Sequence, residues 1–184
     1  MHIPAIPDLV TPRLSLRGVT PADIPAIQRQ FADYEVIREL TAAVPWPYPA
    51  DGAANFVRNA LAEQGVGRWV WGLFLRAAPE ALIGVIDLRR DGAGENRGFW
   101  LARPFWGQGL MTEAAEAVTG HAFSALGFET LIFTNARGNL RSRRIKEKSG
   151  AMLLRTEPAG FVDPAYTEQE VWELTRTAWT TRNG

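Results

Sequence analysis

Apolar and polar residues recur along the first third of the chain in patterns that predict one strand and two helices. Residues 13–17 alternate strictly between polar and apolar, which is typical of a half-buried strand. Thr20 precedes a proline in the arrangement of a helix start, and predicts a helix that runs to about Tyr34. Asp51 begins a second amphipathic pattern that ends near Gly65, so we expect a second helix there.

The middle of the chain contains three successive strand patterns. Residues 69–75 and 81–88 are rich in β-branched and aromatic side chains, and residues 77–80 between them suit a hairpin connection. A third pattern at residues 97–102 follows a glycine-rich turn. Together the three predict an antiparallel meander.

Helical and strand patterns alternate in the second half of the chain. Residues 110–126 carry an apolar stripe at helical spacing, and Gly127 fits the end of that helix. A strand, a helix and two further strands are predicted at residues 131–134, 140–149, 152–155 and 171–175. Without repeats or a linker-like segment, this order predicts one α+β domain over residues 1–184, with a mixed sheet covered by helices.

Composition excludes several classes of function. The chain has 184 residues, and its 20 basic and 20 acidic side chains cancel, so no overall positive field recruits nucleic acid. Because it has no cysteine, disulfides, thiolate metal sites and a cysteine nucleophile are excluded. Two histidines make a multi-histidine zinc site and a Ser-His-Asp triad poor candidates, and His121, on the long helix, is expected to be structural. We therefore expect no metal cofactor.

No segment resembles a membrane span or a targeting signal. The apolar runs are far shorter than the roughly 18 residues that a transmembrane helix needs. Residues 1–8 lack the basic and apolar regions of a secretory signal. We expect a cytoplasmic protein without a membrane or nucleic-acid partner, and nothing in the sequence indicates its oligomeric state.

The sharpest chemical feature is a glycine-containing segment, residues 105–114, between a predicted strand and a predicted helix. Gly107 and Gly109 would let backbone N–H groups approach an anion at the helix start, where the helix dipole adds positive charge. The alternative is an ordinary tight turn between strand and helix. The segment matches neither of two well-known phosphate loops. The P-loop motif does not occur in the chain, and the dinucleotide fingerprint needs a third glycine where Thr112 stands.

A second feature is a basic helix that begins at Asn139, a residue suited to capping it. Within eight residues the helix carries five positive charges: Arg141, Arg143, Arg144, Lys146 and Lys148. Such a run either contacts phosphates or forms a solvated face, and the second is the more common outcome.

Taken together, these features resemble the GNAT superfamily of acyl-CoA-dependent N-acyltransferases, and within it the Rim-type branch that acetylates the N-termini of ribosomal proteins. Any one motif is weak, but the order and spacing of five of them are specific. They span nearly the whole chain: residues 11–17, residues 83–86 with 98–101, residues 106–114, Asn139-x-x-Ser142 with Lys148-x-Gly150, and residues 171–175.

The resemblance implies a mixed, mostly antiparallel sheet of seven strands flanked by about four helices, open between its fourth and fifth strands. Acetyl-CoA would enter that opening and pair its pantetheine arm with the fourth strand at Trp100, Leu101 and Ala102. Backbone N–H groups would hold the pyrophosphate along the loop: Gly107, Gln108, Gly109, Leu110, Met111 and Thr112. Asn139 would contact the pantetheine, and Ser142 would protonate the departing CoA thiolate.

Three positions depart from the family pattern. Pro104 stands where the wider superfamily has Arg or Gln before the loop, and Lys146 stands where many relatives have a tyrosine acid. Arg97 stands where many relatives have a glutamate that serves as general base. The candidates left for the base are Asp87, Glu95 and an ordered water.

The function that the resemblance implies is direct acetyl transfer from acetyl-CoA to a primary amine, either a protein N-terminus or a small molecule. At pH 7 an N-terminal amine is about 10% neutral, whereas a lysine is less than about 0.1% neutral and needs more help. The alternative is a non-catalytic acyl-CoA-binding sensor or scaffold. Trp46 and Tyr48, in a proline-rich loop, either wall the acceptor pocket or cover the edge of the core.

Overall fold

The computed structural model describes residues 6–92 and 94–183, so most of the N-terminal segment inspected for a secretory signal lies outside the described residues. Within those ranges it contains eight strands and six α-helices, and the α+β class is as expected. The strands form two antiparallel sheets, of five and three strands, and their number differs slightly from the seven anticipated.

The first sheet has its strands in chain order, each antiparallel to the next. They are β1 (Leu9–Val10), β2 (Leu14–Gly18), β3 (Arg68–Leu75), β4 (Ala78–Arg89) and β5 (Arg97–Leu101). β3 and β4 form a long hairpin in which Leu75 pairs with Ala78, so the connection is shorter than the predicted residues 77–80.

The N-terminal helices cover one face of this sheet. A 3₁₀ turn (Pro21–Asp23) leads into α1 (Ile24–Phe31), followed by α2 (Tyr34–Ile37) and α3 (Gly52–Glu63). The single helix predicted to reach Tyr34 is therefore interrupted. Its cause is Asp33, which has an extended backbone and accepts the N–H of Glu35 as the cap of α2.

The second half of the chain adds the smaller sheet and three helices. Its elements are α4 (Leu110–Ser124), β6 (Thr130–Ala136), α5 (Leu140–Ser149), β7 (Met152–Pro158), β8 (Glu168–Thr175) and α6 (Arg176–Asn183). The sheet has the order β6-β8-β7. α4 is buried between the sheets and contributes most of its small and aliphatic side chains to the main core.

The two sheets meet at one point and part beyond it. Asn96, just before β5, donates its backbone N–H to the carbonyl of Ile132 on β6 at 2.8 Å, and its side-chain oxygen accepts the N–H of Ile132 at 2.7 Å. β5 pairs with β4 on its other edge and β6 pairs with β8, so the neighbouring edges of β5 and β6 are not joined as a ladder. This is the opening that the family resemblance implies.

Two features are absent from the residues that the structure describes. None of their helices has the length and apolar character needed to cross a membrane. No group of three or more histidine or acidic side chains in those residues is arranged to hold a metal ion.

Candidate functional site

A cleft of about 260 Å³ opens where β5 and β6 part. It is bounded by the end of β5, the glycine-containing loop, the first turns of α4 and α5, and α2 with the residues after it. Most of the residues predicted to bind the cofactor line it: Trp100, Leu101, Gly107, Gly109, Leu110, Met111, Thr112, Asn139 and Ser142.

The loop before α4 has the conformation that an anion cradle requires. Gly107 and Gly109 have φ of 73° and 76°, in the left-handed region that glycine adopts without steric cost. Gly109 is also the N-cap of α4. The N–H groups of the first helical turn therefore have no partner within the helix, and the residues that carry them line the cleft. The positive end of the helix dipole adds to this, and the arrangement can bind phosphate oxygens.

Gln108 and Ala102, two predicted cofactor contacts, do not line the cleft. The side chain of Gln108 donates to the carbonyl of Pro104 at 3.1 Å, and the Gln108 carbonyl accepts from Arg13 at 2.8 Å. Ala102 is buried, and its N–H donates to Ile83 on the neighbouring strand at 2.9 Å. Both residues therefore support the cleft wall in this structure, and their direct contact with a cofactor stays a prediction.

An ion pair fastens the loop to the start of the first sheet. The carboxylate of Glu113 on α4 accepts hydrogen bonds from the backbone N–H of Arg13 at 2.8 Å, from its guanidinium at 2.7 Å and from the Thr11 hydroxyl. Burial alone would raise the pKa of Glu113, but the hydrogen bonds from Thr11 and Arg13 together lower it below its usual value. Since Arg13 also holds the Gln108 carbonyl, it links the loop to a fixed anion.

α5 carries two predicted site residues on its first turn. The Asn139 side chain caps the helix by accepting the N–H of Ser142 at 3.0 Å. The Ser142 hydroxyl accepts a hydrogen bond from the amine of Lys146, one turn later, at 2.7 Å. Lys146 is only 2% exposed, and burial, assisted by the charge of Arg97, lowers the pKa of its amine to about 7.

The candidate bases lie outside the cleft lining and have partners of their own. Asp87 is paired with the guanidinium of Arg68 at 2.6 Å. Glu95 accepts from the Thr134 hydroxyl at 2.6 Å and from Arg89 at 3.1 Å. Neither carboxylate faces the cleft in this conformation, so the role of either as a base stays a prediction.

Arg97 occupies the position where many relatives have the glutamate base, and its side chain does not reach the cleft. Its side chain is 3% exposed, lies 4.0 Å from the centre of the Phe133 ring, and donates to the Thr119 hydroxyl at 2.8 Å. The guanidinium therefore lies in the protein interior beneath β5, and this position provides no base to the cleft. The cost of burying this cation is seen in its pKa, which burial lowers to about 10.

The basic helix α5 combines both interpretations of its charge. Arg141, Arg144 and Lys148 line the cleft because residues three or four apart share one helix face. Arg143, on the opposite face, pairs with Glu147 and Glu170. Three of the five cations of α5 can therefore contact a phosphate in the cleft.

Two acidic residues of the cleft have no signal in the sequence. Glu35 and Glu39 line it from α2 and the residue run that follows. Glu39 accepts from the Tyr166 hydroxyl at 3.0 Å and from Arg141 at 3.1 Å, and the Arg141 guanidinium lies 3.7 Å from the centre of the Trp106 ring. Only the tertiary fold brings this segment opposite α5.

The aromatic residues of the proline-rich loop pack beside the cleft without lining it. Tyr48 contacts Phe31 edge-to-face with ring centres 4.9 Å apart, and Trp46 lies 5.1 Å from Tyr34. Tyr48 therefore covers the core edge. His121 packs edge-on against Trp71, and burial lowers its pKa, as suits a structural histidine.

Comparison with known proteins gives a match to a family model and a set of similar solved structures. Residues 13–152 match the family model for the acetyltransferase (GNAT) domain. An acetyltransferase from Agrobacterium tumefaciens str. C58 is 25% identical, with a TM-score of 0.73 over 94% of this chain and 96% of that one.

Two ligand-bound structures share the fold at lower identity. Mycobacterium smegmatis RimJ in complex with CoA-disulfide has a TM-score of 0.78 at 19% identity, over 95% of this chain and 88% of that one. The microcin C7 self-immunity acetyltransferase MccE, in complex with acetyl-CoA and AMP, has a TM-score of 0.75 at 13% identity, over 90% and 93% of the two chains. With a family model that matches most of its length, the chain belongs to the GNAT acetyltransferase family.

Proposed function

We propose that this enzyme transfers the acetyl group of acetyl-CoA directly to a primary amine, which is a protein N-terminus or a small molecule. GNAT acetyltransferases take acetyl-CoA as co-substrate. The observation that carries the proposal is the cleft between β5 and β6, which brings the glycine-containing loop, the free edge of β5, Asn139 and Ser142 to one place. The ligands of RimJ and MccE, a CoA-disulfide and acetyl-CoA, support a CoA site in this fold.

The cofactor would lie across the cleft with its phosphates at the loop. The N–H groups from Gly107 to Thr112 would hold the pyrophosphate, and Arg141, Arg144 and Lys148 would add positive charge at the rim.

The pantetheine amides would pair with the free edge of β5, as an added strand pairs with a sheet edge. Backbone groups of a strand point alternately to its two neighbours, and the Ala102 N–H already points to β4. The polar groups of Leu101 therefore point to the cleft side. Its carbonyl accepts the Trp106 indole N–H at 2.6 Å, which leaves the Leu101 N–H for the cofactor.

In the reaction, the neutral amine attacks the thioester carbon and a tetrahedral intermediate forms. Backbone N–H groups of β5 would stabilise its oxyanion. The C–N bond is formed and the C–S bond breaks, while Ser142 gives its proton to the thiolate. Because Asp87 and Glu95 are held by other partners, we propose that water removes the proton of the attacking amine.

The class of acceptor that we propose rests on the absence, among the residues that the structure describes, of a carboxylate base in the cleft lining near Ser142 and on the pKa of the amine. An acceptor that is partly neutral at pH 7 needs no strong base, which favours an N-terminal α-amine or a small amine of similar pKa over lysine. Glu35 lines the α2 side of the cleft and would attract the protonated form of the acceptor before it reacts, whereas the charge of Glu39 is already met by Arg141. A cysteine-linked acyl-enzyme is excluded, because the chain has no cysteine.

The test is CoA release measured over a panel of amines. It contains peptides with a free N-terminus, the same peptides blocked at the N-terminus but carrying one lysine, and small primary amines. We expect acceptor-dependent release with free α-amines or small amines, slow release with lysine alone, and unchanged pH profiles in Asp87→Asn and Glu95→Gln. Acetyl-CoA binding without release on any acceptor would favour a non-catalytic acyl-CoA sensor.

A further inference from the structure

We propose that Lys146 is a positioning residue of acetyl transfer: it holds the Ser142 hydroxyl and returns to it the proton that Ser142 gives to the departing CoA thiolate. The inference rests on the proposed function, since it requires CoA in the cleft. It goes beyond that function because it assigns a task to a residue that does not reach the cleft.

The pair spans the boundary between the protein interior and the cleft. Ser142 and Lys146 are one turn apart on α5, which places their side chains on the same face of the helix. The Lys146 amine lies 2.7 Å from the Ser142 Oγ and 3.4 Å from the Ser142 carbonyl oxygen. Ser142 lines the cleft, whereas Lys146 is 2% exposed and lies behind it.

The hydrogen bond sets the direction in which protons move while Lys146 is protonated. An ammonium group only donates, so in that state the Ser142 oxygen accepts from Lys146. The hydrogen of Ser142 is then available to an acceptor in the cleft. A thiolate at that place would be such an acceptor.

The acidities of the groups explain why Ser142 needs this support. A thiol has a pKa of about 8.5, and an aliphatic hydroxyl is a far weaker acid, so a lone serine cannot supply the proton and remain an alkoxide. When Ser142 gives its proton to the sulfur, Lys146 gives one to the Ser142 oxygen. The products are a neutral thiol, an intact hydroxyl and a neutral lysine amine, which water recharges after CoA leaves.

The surroundings of Lys146 make its proton available near neutral pH. Burial lowers the pKa of Lys146 to about 7, Arg97 lowers it as well, and Glu95 and Glu170 act in the opposite direction. Both carboxylates have other partners, since Glu95 bonds to Thr134 and Arg89, and Glu170 to Arg143 and Asn135. In the described ranges no carboxylate forms an ion pair with Lys146.

The composition of the chain agrees with a special use of lysine at this position. Only two lysines occur, Lys146 and Lys148, and all other basic side chains apart from the two histidines are arginines. Arginine stays protonated in proteins, whereas a buried lysine can lose its proton. The lysine is therefore the basic side chain that can act as an acid at this place.

The experiment measures the thiolate fraction of free CoA bound to the enzyme, by its ultraviolet absorbance at about pH 6.5, and needs no acceptor. At that pH most Lys146 side chains still carry their proton, and a hydrogen-bonded chain that ends in an ammonium stabilises the thiolate. We therefore expect Lys146→Met and Ser142→Ala each to lower the thiolate fraction of bound CoA by about fivefold. The matched control is Arg137→Met, which removes an exposed cation just before α5 that does not line the cleft and should leave the thiolate fraction unchanged.

A second measurement reads the lysine itself. With [¹³C]lysine, the protein gives two ε-carbon signals, and the one that is lost in Lys148→Met identifies the other as Lys146. We expect the Lys146 signal to titrate near pH 7, well below the ordinary lysine value of about 10.4, because the amine is buried. This arm uses the unaltered protein, so it stands even where Lys146→Met is poorly folded.

The outcomes separate this inference from the proposed function. If CoA binds and Lys146→Met leaves its thiolate fraction at about pH 6.5 unchanged, or if the Lys146 signal titrates in the ordinary lysine range, the inference is wrong and the proposed function stands. If the unaltered protein does not bind CoA, both are wrong. In turnover, we expect the kcat of the unaltered enzyme to fall as the pH rises above 7. Lys146→Arg should keep the hydrogen bond to Ser142 but should not show that fall. A pH profile of kcat that is the same in both would contradict the proton transfer.

Discussion

The anchor between Glu113 and the segment before β2 makes a prediction that joins stability to cofactor binding. Replacing Glu113 with glutamine keeps the shape of the side chain and removes its charge. The carboxylate accepts two hydrogen bonds from Arg13 and one from Thr11. The amide of a glutamine retains one accepting oxygen and turns a donor towards one of those partners.

The expected loss is about 2 kcal/mol of unfolding free energy. A hydrogen bond to a charged group contributes about 1.5–3 kcal/mol. Because the Arg13 side chain is 49% exposed, its ion pair adds at most about 1 kcal/mol, and the estimate is kept near the lower end. For a domain of this size, about 2 kcal/mol lowers Tm by about 4–8 °C.

The assay is thermal unfolding of the unaltered protein and Glu113→Gln at several pH values. Since the folded pKa of Glu113 is lowered, the carboxylate contributes its stability fully above the unfolded value of 4.5 and loses it as the pH falls through the folded value. The two Tm values should therefore converge as the pH falls from 4.5 through the lowered pKa of the folded carboxyl.

The matched control is Glu116→Gln on the same helix, where the partner is Arg182 and both side chains are about one-third exposed. We expect that substitution to cost less than about 1 kcal/mol. Glu113→Gln should also weaken acetyl-CoA binding about fivefold, or about 1 kcal/mol, because Arg13 no longer has a fixed anion while it holds the loop. Equal effects of the two substitutions, or a Tm difference that persists at low pH, would refute the reasoning.

Two further predictions concern the wall of the cleft and the core. A Cβ at Gly84 would lie 2.5 Å from the Trp100 carbonyl oxygen, so Gly84→Ala should displace β5, cost about 1–3 kcal/mol and weaken acetyl-CoA binding, as calorimetry would measure. The control is Gly67→Ala, where nothing lies within 4 Å of the added atom, and a wild-type affinity in Gly84→Ala would contradict the expected shift. Because burial lowers the pKa of His121, stability should be fully present above about pH 6.5 and fall as the pH drops through the folded value. His121→Leu should make the free energy of unfolding, measured in urea, less dependent on pH. If the pH dependence is the same in the variant, other groups cause it.

Elements with local stop and start signals could be predicted closely from the sequence. The bounds of α5 match the predicted residues 140–149, because Asn139 caps its start and Gly150, with φ of 82°, ends it. The strand patterns were recognisable because their alternation or apolar runs are strong. The break at Asp33 was missed although an N-cap signal was present, because the apolar pattern continues across it.

Elements whose apolar content is small could not be predicted. α6 carries only Ala178 and Trp179 as apolar residues, and it is held by the packing of Trp179 on Phe123, a contact between distant parts of the chain. β1 has two residues and exists as a strand only through its pairing with β2. Such elements depend on tertiary contacts that periodicity does not record.

The same distinction applies to the site. The loop and its glycines form a contiguous motif, so their place at the cleft could be predicted from the resemblance. The positions of Glu35 and Glu39 depend on how α2 packs, and the burial of Lys146 depends on the space between the two sheets. Its spacing of four residues from Ser142 was visible in the sequence, but a helix with five cations gives no indication of which one is buried.

The measurement that tests the central claim most directly is a thermal-shift titration with acetyl-CoA. Ligand at 100 times its Kd adds about 2.7 kcal/mol to the unfolding free energy. For a domain of this size the account predicts that Tm rises by about 5–11 °C and that S-acetylpantetheine, which lacks the pyrophosphate, gives little shift. If saturating acetyl-CoA leaves Tm unchanged, the cleft between β5 and β6 is not a CoA site, and the proposed function is wrong.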